Sequence, residues 1–97
     1  MIDVIIPTTN NANQSLNVTL SGLNCVINLY QKDANLYFDL IVEGNILISS
    51  RLCQDRTQLI FEQYFVLPGQ LFFIDQQGTS NPTYDGLNSR YFLYYRV

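Results

Sequence analysis

The sequence predicts an all-β protein, either a small antiparallel β-barrel or a two-sheet β-sandwich, with roughly six to eight strands. Apolar and polar residues alternate with a period of two over several stretches, as they do in strands that bury one face. Turn-forming residues, chiefly glycine, asparagine and proline, separate these stretches. The chain has 97 residues and is expected to form a single domain, with an amino-terminal strand or arm and a link over residues 1–14 and a β meander over residues 15–97.

The first element with a defined register is a β-hairpin over residues 16–29. Six apolar residues alternate with polar neighbours along its two arms: Leu16, Val18, Leu20, Cys25, Ile27 and Leu29. A two-residue loop at Gly22 and Leu23 places Val18 opposite Ile27 and puts all six side chains on one face. We therefore predict that this face is buried.

The next hairpin has two possible loops, and the apolar pattern chooses between them. A two-residue loop at Gly44 and Asn45 would place Leu40 opposite a serine. A three-residue loop over residues 43–45 instead places Leu40 opposite Ile48. It also places Val42 opposite Ile46, so we predict the three-residue loop, with glycine or asparagine in the left-handed conformation.

The remaining segments are predicted from short apolar runs and the breaks between them. Strands are expected at residues 36–42, 59–67, 71–74 and 90–97, and residues 2–7 are expected to form an edge strand or an arm onto a neighbour. The run at residues 71–74 is continuously apolar, which favours a strand buried on both sides. A polar turn occupies residues 31–35. Residues 75–89 form one long loop around Tyr84, of a length that is usually functional, an interface or disordered.

Composition argues against catalysis and against several classes of ligand. Histidine is absent, which removes the commonest general base and the commonest zinc ligand, so we predict no catalytic site, no metal and no cofactor. The acidic residues are scattered and are expected to be solvated. A net charge of −3 without a run of basic residues argues against nucleic-acid binding, and no apolar stretch is long enough to span a membrane. Cys25 and Cys53 are predicted to be buried, reduced thiols rather than a disulfide.

Low charge and abundant aromatic residues favour a protein that buries part of its surface against partners. Only 13% of the residues are charged, against about 25% in an average protein. The residues predicted to lie in interfaces are Ile2, Val4, Ile6, Tyr84, Arg90, Tyr94 and Tyr95. The alternative for the arginines is that they bind nearby acids or loop carbonyls. The alternative for the tyrosines is core packing or, as a different function, a small carbohydrate-binding β-domain.

The order of motifs resembles the baseplate plug proteins of contractile-tailed bacteriophages, the cyanophage plug type among them. The resemblance rests on Asn-Gln-x-apolar-x-Val-x-Leu at residues 13–20, a Gly/Asn turn at residues 42–46, a serine-containing strand end at residues 48–51, an aromatic strand at residues 61–66 and aromatic-x-Leu-x-Tyr at residues 91–95. Ala12 stands where the family usually has proline. The resemblance implies a non-enzymatic virion protein at the centre of the tail baseplate, assembled in the host cytoplasm. Its implied partners are copies of itself and the baseplate hub and tail tube proteins.

Overall fold

A computed structural model describes residues 3–57, 59 and 69–96. The described strands are β1 (Asp3–Ile6), β2 (Asn13–Leu20), β3 (Leu23–Lys32), β4 (Asn35–Val42), β5 (Asn45–Leu52), β6 (Gln70–Asp75) and β7 (Tyr91–Arg96), with a 3-10 turn at Tyr84–Gly86. They form a three-stranded sheet of order β1-β7-β6 and a four-stranded sheet of order β2-β3-β4-β5. All strand pairs are antiparallel and the described strands do not close into a barrel. The all-β prediction is confirmed, as a sandwich-like fold.

The four-stranded sheet is a meander, but its first turn lies one residue earlier than predicted. The loop residues are Ser21 and Gly22, with φ of 51° and 81°. Two left-handed residues give the hairpin turn whose twist matches the twist of the strands. Val18 therefore pairs with Cys25, and the predicted pairing with Ile27 is wrong. The shift along the partner strand is two residues, so the predicted apolar residues still share one face.

The third turn of this sheet also has two loop residues rather than three. Glu43 and Gly44 form it, with φ of 49° and 82°. Ile46 consequently pairs with Ile41, not with the predicted Val42. The predicted pair of Leu40 and Ile48 is nevertheless present, because register shifts on either side of Leu40 mark β-bulges in this strand pair. The polar turn before β4 is likewise shorter than predicted, since β3 runs to Lys32 and β4 begins at Asn35.

The three-stranded sheet joins the two ends of the chain. Strand β1 pairs with β7 and lies at the edge of this sheet, as predicted for residues 2–7. Strand β1, which precedes the meander predicted for residues 15–97, pairs with β7 and not with β2. Strands β6 and β7 confirm the predictions for residues 71–74 and 90–97. The predicted strand at residues 59–67 lies outside the described residues except for Leu59, whose N–H donates to the carbonyl of Leu71 over 3.0 Å.

The core lies between the two sheets and contains the largest fully buried side chains. Phe38, Phe73, Ile27, Leu29, Leu36, Leu40, Leu59, Leu71 and Leu93 belong to this group. Cys25 and Cys53 are buried and free, as predicted. Burial raises the pKa of both thiols, because a thiolate loses its hydration in the core. The cysteines therefore pack as small apolar residues.

Candidate functional site

The outer face of the three-stranded sheet is unusually apolar for a surface. Residues of β6 and β7 alternate between the core and this face. Gln70 lies on the outward side beside Arg96, and the apolar and cationic residues of that side, here called the aromatic face, are Ile5, Phe72, Ile74, Phe92, Tyr94 and Arg96. Ile5 is 49% exposed on the edge strand. Strand pairing places Tyr94 between Ile5 and Phe72, so the three side chains form a row across all three strands. Such a face is a candidate contact surface.

Stacked side chains hold this face in a defined shape. The rings of Phe72 and Tyr94 stack with centroids 5.7 Å apart, and the guanidinium of Arg96 lies 4.7 Å from the centroid of Phe72 on its ring face. The side-chain amide of Gln76 donates to the Tyr94 hydroxyl over 3.0 Å. Phe72 is only 8% exposed because these neighbours cover it. The face is therefore preorganised, which lowers the entropic cost of covering it with a partner.

Two arginines flank the groove that runs along this face. The groove has a volume of about 430 Å³ and is lined by Arg56, Gln70, Phe72, Ile74 and Arg96. Arg56 is held by the Asp55 carboxylate at 2.5 Å and by the Gly78 carbonyl at 3.2 Å. None of the described residues that line the groove is acidic, although the protein carries a net charge of −3. The groove thus combines an apolar floor with cationic walls, a composition enriched in protein interfaces.

The outer face of the four-stranded sheet differs in chemistry. Exposed asparagine, serine and threonine side chains cover β2, and the Ser15 hydroxyl donates to the Asn28 side chain over 2.8 Å. Tyr30 and Tyr37 stack at 6.1 Å, and the Tyr30 hydroxyl donates to Asp39 over 2.9 Å. These polar groups bond to one another on the surface. The outer face of the four-stranded sheet thus mixes bonded polar groups with stacked tyrosines and the exposed Ile46, and it differs in this from the aromatic face.

A buried ion pair organises the long loop between β6 and β7. The Asp75 carboxylate is fully buried and accepts hydrogen bonds from Arg90 at 2.8 and 2.9 Å, and from the backbone N–H groups of Gln77 and Ser80 at 2.9 Å each. The Arg90 guanidinium, with these amides, holds the pKa of Asp75 well below its usual range despite burial. The expectation that the acids are solvated is wrong for Asp75, because these four donors replace its water. The alternative reading of Arg90, that it binds a nearby acid, is correct.

The predicted interface residues fall into two groups in the structure. Val4 is 50% exposed and Tyr84 is 38% exposed, whereas Tyr94 is half-buried on the aromatic face. Ile6 and Tyr95 are buried in the core of the single chain, and their interface role stays a prediction. Both face inward because they alternate with outward residues on their strands.

The buried Tyr95 side chain makes two hydrogen bonds through its hydroxyl. The Tyr95 hydroxyl bonds to the Ser21 hydroxyl at 2.8 Å and accepts from the Gly69 N–H at 3.1 Å, so this ring links the two sheets. Ile2 lies outside the described residues. Tyr91 is also buried, which leaves Tyr84 and Tyr94 as the accessible members of the tyrosine set considered for sugar binding. Tyr84 lies on the loop and its N–H donates to Gln31 at 3.2 Å, while Tyr94 stacks on Phe72 in the sheet.

Five members of the aromatic face were not predicted as interface residues from the sequence: Ile5, Phe72, Ile74, Phe92 and Arg96. The run at residues 71–74 suggested burial on both sides, and Phe72 is indeed covered: the Tyr94 ring stacks on it and the Arg96 guanidinium lies over it. The sequence contains both segments, the apolar run at residues 71–74 and the aromatic terminal strand. It does not show that they pair, because the order of strands in a sheet is not visible in either segment alone.

The described residues contain no cluster of three or more histidine, cysteine or acidic side chains placed to hold a metal ion. Among the described residues, no helix has the length and apolarity needed to cross a membrane. In comparisons with known proteins, the sequence model of the family described as "Cyanophage baseplate Pam3 plug gp18" matches residues 4–97. No curated protein matches the chain.

Proposed function

The chain belongs to the cyanophage baseplate plug family, and from this we propose that it is built into the centre of a phage tail baseplate, where it acts by assembly and not by catalysis. The observation that carries the proposal is the family match, which spans nearly the whole chain. The family indicates a structural baseplate protein located in the virion tail. Its proposed partners are copies of itself, the baseplate hub and the tail tube proteins, which it joins during assembly in the host cytoplasm.

The aromatic face supports this proposal as a contact surface. It places tyrosine, phenylalanine and arginine side chains together, the residue types that most often anchor protein interfaces. Tyr94 and Arg96 are held by Phe72 before any partner arrives, so little side-chain entropy remains to be lost. We propose Tyr94 as a central anchor. Exposed Val4 and Tyr84 are proposed as additional contacts.

Binding to the baseplate hub protein of the same phage tests the proposal. Sedimentation velocity compares the purified protein alone, the hub alone and their mixture. Replacing Tyr94 with alanine is expected to weaken binding by about 1–3 kcal/mol, because an interface anchor loses its contacts. The matched control is Ile46→Ala, which truncates a side chain that is 73% exposed on the other sheet. Circular dichroism checks that both variants retain their strand content.

Tyr84→Ala tests the loop contact in the same assay. It is expected to weaken binding if the loop touches the hub, without altering the sheets that carry Tyr94. A protein that remains monomeric, binds neither the hub nor itself, and binds an oligosaccharide would contradict the assembly proposal and favour a carbohydrate-binding domain.

A further inference from the structure

Strand β2 has the least protected edge among the described strands. It is eight residues long, contains no charged residue, glycine or proline, and pairs with β3 without a bulge. Natural proteins usually protect such an edge by charge, bulges, shortness or coverage. The described part of the chain shows no strand on the outer side of β2, which is the first strand of its sheet.

The other sheet edges are protected by these devices. Strand β1 has only four residues. Strand β5 contains register shifts and carries Arg51. The edge of β6 is covered by the preceding segment, because the N–H of Arg56 donates to the Phe73 carbonyl at 2.7 Å and that of Leu59 donates to the Leu71 carbonyl at 3.0 Å. The contrast singles out β2.

The register of the hairpin determines which backbone groups of β2 face outward. Leu20 and Leu23 close a two-residue turn, so they exchange hydrogen bonds, and the bonded positions then recur at every second residue. The Ala12 carbonyl accepts from the Gln31 N–H at 2.8 Å, as expected if the even-numbered residues are the ones that bond to β3. The odd-numbered residues of β2, including Ser15, Asn17 and Thr19, therefore direct their N–H and C=O groups away from β3. An extended strand is the chemical partner of such a row.

We propose that β2 pairs antiparallel with β2 of a second copy, about a two-fold axis at Asn17. This register places Ser15 opposite Thr19 of the second copy, and each of these residues offers both outward backbone groups. It places Leu16 opposite Val18 of the second copy, on the face that continues into the core. The central pairs join like with like, Gln14 lies opposite Leu20 of the second copy at each end, and no pair opposes two equal charges. The sequence of β2 is thus self-complementary, and the contact is isologous.

The pairing also completes the burial of two core-facing residues. Leu16 and Val18 are only half-buried, although they pack against the hydrophobic core. A strand added beside β2 would cover the exposed parts of both. The two four-stranded sheets would then form one continuous sheet across the dimer. The dimer rests on the self-association part of the proposed function and makes it specific, because it names β2 as the contact between two copies.

Cysteine cross-linking tests the register. Asn17→Cys places each new thiol against its own symmetry mate, within the reach of a disulfide. Ser15→Cys is the matched control, because its mate in the second copy lies opposite Thr19 instead. Cys25 and Cys53 are buried, so they contribute little background. We expect mild oxidation to give a covalent dimer for Asn17→Cys and a monomer for Ser15→Cys. Equal cross-linking of both variants, or none of either, would overturn the proposed register.

Measurements on the unmodified protein and on a charged variant test the dimer without cross-linking. Amide exchange at Asn17 and Thr19 is expected to slow as protein concentration rises. Asn17→Lys places two like charges at the axis and is expected to weaken dimerisation by about tenfold, whereas Asn35→Lys, at the exposed first residue of β4, is not. Exchange that is independent of concentration would overturn the dimer. If that protein still bound the hub, the dimer alone would fail and the baseplate role would stand.

Discussion

Replacing Ile27 with alanine tests whether the predicted face of the first hairpin is the core of the protein. Ile27 is fully buried on β3, between Leu16 of β2 and Leu40 of β4. Alanine lacks three of its side-chain carbons, and at about 0.8 kcal/mol for each buried methylene this loss is worth ~2.4 kcal/mol. The cavity that remains adds to the loss, which gives a total of about 2–5 kcal/mol. The stability of a small domain is about 5–15 kcal/mol, so the effect is large.

Urea unfolding followed by circular dichroism measures this loss. With an m-value of about 1.2 kcal/mol/M, a loss of ~3 kcal/mol lowers the unfolding midpoint by about 2.5 M. Ile27→Val leaves a smaller cavity and is expected to cost about 0.5–1.5 kcal/mol. Val26→Ala, on the opposite and half-buried face of the same strand, is expected to cost less than about 1 kcal/mol. A loss below about 0.5 kcal/mol for Ile27→Ala would refute the argument from burial.

Three further predictions concern the turn, the buried ion pair and the thiols. Gly22→Ala is expected to destabilise the fold by about 1–2 kcal/mol in urea unfolding, because the backbone φ of Gly22 is positive. An added Cβ would meet no atom within 4 Å, so backbone strain is the expected cause of this loss. An unchanged unfolding midpoint would contradict the turn assignment. The lowered pKa of Asp75 stabilises the fold above the unfolded-state pKa of about 4, and this contribution is lost as the pH falls further, so Tm is expected to drop on acidification. Asp75→Asn should remove that part of the pH dependence, and an unaltered profile would argue against the ion pair with Arg90. Cys25 and Cys53 are expected to react with Ellman's reagent in denaturant but not in the native protein, where fast labelling would show that they are accessible.

The strands of the first hairpin were predictable because the side-chain period of a strand is independent of the partner strand. Leu16, Val18 and Ile27 belong to the same face in both the predicted and the observed pairing, since the two pairings differ by two residues. The turn was not predictable to the residue. Gly22 and Asn24 are the residues of this segment that most favour the left-handed conformation, yet the two residues that adopt it are Ser21 and Gly22. Ser21 adopts it because the twist of the strands requires two adjacent left-handed residues in the turn.

The bulges beside Leu40 show a second limit of local pattern. A three-residue loop and a two-residue loop followed by a bulge place Leu40 opposite the same partner, Ile48. The apolar pattern cannot distinguish them, because both bury the same side chains. The Asp39 carboxylate accepts the backbone N–H of Ser50 at 2.8 Å, and this contact lies at the other register shift, between Phe38 and Leu40.

The sequence by itself determined the all-β class, the buried face of the first hairpin, the burial of both cysteines and the aromatic terminal strand. Each follows from local chemistry, because the period of two and the residue types hold whatever strand lies alongside. Only the tertiary structure decided that β1 pairs with β7, that Asp75 is buried against Arg90, and that Phe72, Tyr94 and Arg96 share one surface. These features join residues far apart in the chain. Their free energy comes from contacts that form only when the two sheets and the ends of the chain meet, so no short stretch of sequence contains it.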